Sequence, residues 1–146
     1  MLGQRFCLTF ILASTFLLPY AHARDDRLQF PIETALKLEG NTQLDASIRL
    51  YFGDQSHPKA KKNFGNFLTN KKTNAFGKSD EAACNWAFLS AVLELQERAK
   101  KEGGNAVINI TSFYKKNTFS SRSEFECGAG AIMAGVTLQG DVVTLP

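Results

Sequence analysis

The chain has 146 residues, a formal net charge of +3, 44% hydrophobic residues and 21% charged residues. Those proportions describe a folded globular chain and exclude a multidomain motor and a disordered tail. Beyond the first twenty-odd residues no apolar run reaches the ~18 residues that a membrane-crossing helix needs, which excludes an integral membrane protein of that kind.

Residues 1–23 read as an export signal. Arg5 is the only charge before Arg24, residues 6–18 are apolar with small polar breaks, and Ala21-His22-Ala23 supplies the small-x-small pattern of a cleavage site. The expected mature chain, residues 24–146, is a single α+β domain, and its expected home is the periplasm or beyond it. A short N-terminal anchor is the alternative reading of the leader.

The mature chain opens on the charged run Arg24-Asp25-Asp26-Arg27. Residues 30–38 predict a short helix, with Pro31 at the first helical position and Gly40 as a stop. Residues 46–52 alternate, with Ile48, Leu50 and Phe52 on one side, and predict a half-buried strand. Turn chemistry follows from Gly53 to Pro58. A second strand is expected around residues 64–69. The clearest element is a helix over residues 80–102. Ser79 or Asp80 caps it, Asp80 and Glu81 lie at its positive end, Lys100 and Lys101 lie at its negative end, and Gly103-Gly104 stops it. Phe88, Val92, Leu95 and Ala99, with Trp86, Leu89 and Leu93 beside them, make a wide apolar face suited to lying on a sheet, while Asn85, Glu94, Glu97 and Lys101 are expected to face water. Residues 105–114 predict a strand, 115–122 a polar hairpin loop and 123–138 a long strand crowded with Gly128, Gly130 and Gly135. Glycine at that density weakens a strand unless something approaches its backbone closely. Val142, Val143 and Leu145 extend that strand or form a last one. The expected fold is one long helix on a mostly antiparallel sheet, in the order α-β-β-α-β-β.

Cys7 falls within the leader, leaving Cys84 and Cys127 as a pair in an oxidising compartment. They predict one disulfide, with two buried free thiols as the alternative. No metal is expected, because His57 is the only histidine beyond the leader and the spacing does not fit zinc. From Gln55 to Ser79 there are six lysines and no acid, interleaved with Phe64, Phe67 and Phe76. Such a stretch can pair with phosphates and stack on rings, or it can be a solvated loop whose phenylalanines enter the core. Lys71, Lys72, Lys78 and Phe76 are the candidate anion- or ligand-binding residues. Gly77-Lys78-Ser79 imitates the end of a P-loop, but Lys72 stands where the first glycine is needed, so no nucleotide is expected. Glu124 and Glu126 share a strand face and His57 precedes Pro58 in a turn; neither forms a recognisable catalytic constellation. No catalytic residue and no cofactor is expected. Tyr114-Lys115-Lys116 can border a binding surface.

The run 69–81 (Thr-Asn-Lys-Lys-Thr-Asn-Ala-Phe-Gly-Lys-Ser-Asp-Glu) continues into Ala83-Cys84-Asn85-Trp86-Ala87-Phe88. Together with Gly104-Asn105-Ala106-Val107, Tyr114-Lys115-Lys116 and Glu126-Cys127 through Val136, it resembles a family of small exported proteobacterial proteins that carry the label excinuclease ATPase subunit, the ATPase of the ABC excinuclease. A repair ATPase of that name needs complete P-loops and zinc-binding cysteines, and this sequence has neither. The helix followed by Gly-x-Asn-Ala and a strand, from Ala82 to about Val136, is similar to the YbjQ/RcsF-like fold, a superfamily of small oligomers and a disulfide-held envelope stress sensor. The resemblance implies the fold and an envelope location. The expected function is that of a non-enzymatic binding or structural module, partnered by an envelope protein or a polyanion, with a homo-oligomer left open. The alternative is a polyanion or ligand binder using residues 59–78.

Overall fold

A computed structural model describes residues 23–38 and 43–146. Residues 1–22 of the expected leader and Gly40 lie outside the described residues. Within them the chain runs β1 (Asp26–Pro31), α1 (Ile32–Leu36), β2 (Arg49–Phe52), β3 (Lys62–Asn74), α2 (Asp80–Glu102), β4 (Ala106–Ser112), a 3-10 turn (Tyr114–Lys116), β5 (Glu124–Ala129) and β6 (Met133–Thr144). The architecture is α+β, with two helices and one curled sheet of six strands. No described helix is long and apolar enough to cross a membrane.

The sheet is organised around β6. Its whole length pairs with β3 on one edge. Its other edge is shared: β4 pairs with the later half, from Leu138 to Val143, and β5 with Ala134 and Gly135. β5 then carries β1, and β4 carries β2. All of these pairs are antiparallel except β2 with β4.

α2 crosses one face of this sheet. Ser79 caps it by accepting a hydrogen bond from the Ala82 amide at 3.1 Å, and Gly103 ends it in a left-handed conformation at φ 83°. The buried row Cys84, Ala87, Phe88, Ala91, Val92, Leu95 and Ala99 meets Val136, Leu138, Val142, Val107 and Phe125 from the strands. Phe88 stacks on Phe125 with ring centroids 4.2 Å apart and touches Phe52 at 5.9 Å. Burial of each such ring contributes about 2–3 kcal/mol. Gln96 is a polar lock in this apolar layer. Its side chain donates to the Asp45 and Ile48 carbonyls and accepts from the Asp45 amide, pinning the turn before β2 to the helix. Cys84 and Cys127 are joined, α2 to β5, with Cα atoms 5.9 Å apart. Closing a loop of that separation, 43 residues, removes about 4 kcal/mol of unfolded-state entropy.

Five expectations are corrected, and the expected order α-β-β-α-β-β becomes β-α-β-β-α-β-β-β, because β1 is added at the start and the last strand is two. Phe30 belongs to β1, not to a helix, and Pro31 is the residue before α1. The anticipated strand around residues 64–69 is the middle of a thirteen-residue one, bulged at Gly65 (φ 115°). The long strand expected at 123–138 turns back at residues 130–132 to become β5 and β6. Asn85 is buried, with its Oδ1 lacking a hydrogen-bond partner, because the helix is covered over a wider arc than its charged residues suggest. The strict alternation expected of β4 also breaks at Asn109, whose φ of 53° marks a bulge. Val107 and Ile110 therefore both face the main core, while Ala106 and Ile108 join Val143 and Leu145 in a small cluster of their own.

Candidate functional site

Where β5 turns into β6, the sheet leaves a groove of about 760 Å³. Its floor is made of small residues, Gly128, Ala134, Gly135 and Thr137. Ile132 and Met133 form one wall, Lys72 and Asn70 on β3 another, and Arg24, Asp25, Tyr114 and Lys115 close the far side.

The glycines explain the shape. A Cβ on Gly128 would lie 2.1 Å from the Tyr114 ring, so the ring rests directly on the strand backbone. A Cβ on Gly130 would meet the Arg24 carbonyl at 3.1 Å. The close approach that a glycine-dense strand demands is thus made by a tyrosine and by the N-terminal segment.

Tyr114 is held from several sides. Its hydroxyl donates to Asp25 Oδ1 at 2.6 Å, and the Arg27 and Lys115 cations lie 5.7 and 5.5 Å from its ring centre. Burial, followed by the Asp25 hydrogen bond, pushes the phenol up to about 12. Asp25 in turn is held below the usual carboxylate range, first by its hydrogen bond from Lys115 and then by Tyr114. The turn that carries these groups is strained. Lys115 and Lys116 are consecutive left-handed residues without glycine, at φ 49° and 64°, a conformation costing about 1–2 kcal/mol per residue. It is anchored by Phe113 N–H to Thr137 O at 2.8 Å, by Asn117 Nδ2 to Lys115 O at 3.0 Å, and by the paired backbones of Ser112 and Phe119. Beneath it Glu126 is buried, its carboxylate 3.5 Å from the Arg27 guanidinium and its amide bonded to Ser112 Oγ.

The cations around the groove are not equivalent. Arg24 is paired with Asp26 and Asp80, and Lys115 with Asp25. Lys72 has no carboxylate partner among the described residues. A second depression, about 520 Å³ between α1 and β2, has its charged side chains paired, with Lys37 on Glu33 and Arg122 on Asp54 beside it.

The candidate residues from the basic stretch separate. Lys72 lines the groove. Lys71 points to the other face and pairs with Glu94 of α2 at 3.0 Å. Lys78 donates to the Asn74 carbonyl, and Phe76 is exposed outside the groove. Phe64 and Phe67 pack against the core, where the Lys62 and Arg98 side chains cover their rings. The start of α2 is occupied by its own groups, with Ser79 on the Ala82 amide and Asp80 on Arg24. His57 packs edge-on against Tyr51 and bonds to Pro58 O, whereas Glu126 is engaged with Arg27. Among the described residues no three His, Cys, Asp or Glu side chains gather as a metal site would require. Arg24, Asp25, Ile132 and Met133 were not among the sequence candidates; the glycine density of residues 128–135 and the Tyr-Lys-Lys turn were the signals that pointed toward them.

No family model, curated protein or solved structure matches this chain.

Proposed function

We propose that this chain is an exported, non-enzymatic binding module of the cell envelope, and that its groove takes a small anionic ligand with an apolar portion. The observation that carries this reading is Lys72: an ammonium without a carboxylate partner among the described residues, in a groove whose facing wall is Ile132 and Met133. A carboxylate, sulfate or phosphate would complete the lysine's charge while its tail covers the two apolar side chains. Lys115, which also lines the groove, adds a second cation at the expense of its pairing with Asp25. Polyanion binding along the whole of residues 59–78 has less support, because Lys71 is spent on Glu94 and two of the three phenylalanines are packed. The Cys84–Cys127 bridge suits an oxidising compartment such as the periplasm, and the YbjQ/RcsF-like core is part of the same proposal.

Decyl phosphate, titrated calorimetrically below its micelle concentration, tests the ligand class. The expected result is saturable binding that weakens at least ~5-fold when Lys72 and Lys115 both become Ala, the loss of about 1 kcal/mol or more of charge pairing. Absence of saturable binding, or equal affinity in the variant, contradicts the reading. Export is tested by the intact mass of protein from a periplasmic extract, which is expected to start at Arg24 and to gain two protons on reduction.

A further inference from the structure

Two turns lie side by side at the end of the molecule where α2 begins. In the first, the Lys78 amide donates to Ala75 O at 3.1 Å and Gly77 takes φ 71°, the geometry of a type II turn with Phe76 at its projecting corner. Asn74 Oδ1 fixes the corner by accepting from the Phe76 amide at 2.9 Å. In the second, Gly130 N–H donates to Met133 O at 2.9 Å, and Ala131 and Ile132 form the tip of the β5–β6 hairpin. The turns are bonded to each other through Ala75 N–H and Ile132 O at 2.7 Å. Turn corners ordinarily carry Gly, Asn, Asp or Ser. Here they carry Phe76 and Ile132, exposed to 76% and 66%, and Met133 beside them at the start of β6 is exposed to 46%. Neither backbone requires those side chains, and nothing in the described structure covers them.

The charges without an ion-pair partner around this tip, among the described residues, are two lysines and one carboxylate, the exposed Glu81 in the first turn of α2. Asp80 at its base is paired with Arg24. Lys72 and Lys78, on either side of Phe76 in the chain, have no carboxylate partner among the described residues, and Lys78 is tethered by its ammonium to the Asn74 carbonyl of the same turn. A rigid apolar tip flanked by lysines matches a surface that is apolar inside and anionic outside.

We propose that this end of the molecule docks on an anionic lipid leaflet. Phe76, Ile132 and Met133 enter the boundary between headgroups and acyl chains, and Lys72 and Lys78 meet the lipid phosphates. The inference shares Lys72, Ile132 and Met133 with the groove but goes beyond that reading, because Phe76 and Lys78 lie outside the groove, and it stands without any groove ligand.

Co-sedimentation of the chain starting at Arg24, which contains every described strand and helix, with unilamellar vesicles tests it. Vesicles of phosphatidylcholine with about one-third phosphatidylglycerol are expected to carry the protein down, and pure phosphatidylcholine much less. Phe76→Asp is expected to lower the partition at least ~10-fold and Lys78→Ala roughly 3- to 5-fold, both at low salt. Ile132→Ser is also expected to lower the partition, and wild-type partition of that variant overturns the part given to the second turn. No sedimentation with the anionic vesicles overturns the proposal, as does wild-type partition of Phe76→Asp or equal binding to the two vesicle types. A dimer in sedimentation velocity that Phe76→Asp dissociates, without vesicle binding, would make the tip a self-contact and also overturn it. Decyl phosphate affinity separates the two readings: Phe76→Asp is expected to keep it while losing vesicles, and a failed groove would leave vesicle binding intact.

Discussion

Along β6, residues 138–144 and residues 133–137 differ in what flanks them. The later half lies between β3 and β4, with Leu138, Val142 and Val143 fully buried and Gly140 making room for the Val107 and Ile110 side chains. The earlier half lies between β3 and β5, and its outer face carries Gly135 and Thr137 under an open groove. Small residues do opposite things in the two halves. In one, a missing side chain admits neighbouring core side chains and tightens the packing. In the other, the missing side chains of Gly128 and Gly135 admit a tyrosine ring and leave space. One strand is therefore a structural spine at one end and the floor of an open groove at the other.

The largest expected effect comes from detaching the open half from the helix. Reducing Cys84–Cys127, or Cys127→Ser, is expected to cost about 4 kcal/mol, which lowers the melting temperature by roughly 10–20 °C. Thermal unfolding with and without reductant measures it, and coincident curves would mean that the bridge contributes nothing to stability. Next in size is a contrast within β6 itself. Leu138→Ala is expected to cost about 2–4 kcal/mol in urea unfolding, as a buried leucine replaced in a packed core does. Gly135→Ala, whose Cβ would meet only the Lys72 side chain at 3.5 Å and the Lys71 carbonyl at 3.7 Å, is expected to stay within about 0.5 kcal/mol. Equal costs would erase the distinction between the halves.

Much of the closed half was legible in the sequence. The 3.6-residue periodicity of Phe88, Val92, Leu95 and Ala99 and the Ser79 and Gly103 boundaries gave α2 correctly, and the cysteine pair gave its crosslink. β1 was hidden because only Leu28 and Phe30 alternate within a charged segment ending in proline, and they sit on an edge strand, where half the hydrophobic signal is absent. The turn at 130–132 was hidden because Ala131 and Ile132 are not turn formers. The groove was partly visible: glycine density announced a close approach, but which residue made it depended on a left-handed pair of lysines that propensity does not anticipate. The basic stretch divides because it is a strand: successive residues such as Lys71 and Lys72 leave the sheet on opposite faces.

Smaller effects sharpen the account through titration. Tyr114 is neutral at its raised value, so folding holds a proton that the unfolded chain releases from about pH 10 upward. Its contribution to stability is intact below pH 10 and lost as pH rises toward 12. The absorbance difference at 295 nm between wild type and Tyr114→Phe is expected to have its midpoint near 12. Gly128→Ala, which displaces the ring, is expected to bring that midpoint down toward the ordinary value. A midpoint unmoved by Gly128→Ala would remove the ring from the strand. Asp45 acts at the other end of the pH range. Hydrogen bonds from Ser47, then Lys100, lower it to about 2 from an ordinary 3.8. Its contribution is complete above pH 3.8 and is lost as pH falls to about 2. Asp45→Asn is therefore expected to flatten the decline of melting temperature across that window, and an unchanged slope would assign the decline to other carboxylates.

The most direct test of the open half as a binding floor is a backbone amide chemical-shift titration with decyl phosphate. The account predicts saturable shifts concentrated at Gly128, Gly130, Gly135, Thr137 and Lys72, with Val142 and Val143 at the other end of β6 unmoved. Shifts spread along the whole strand, or confined to residues outside the groove, would contradict it.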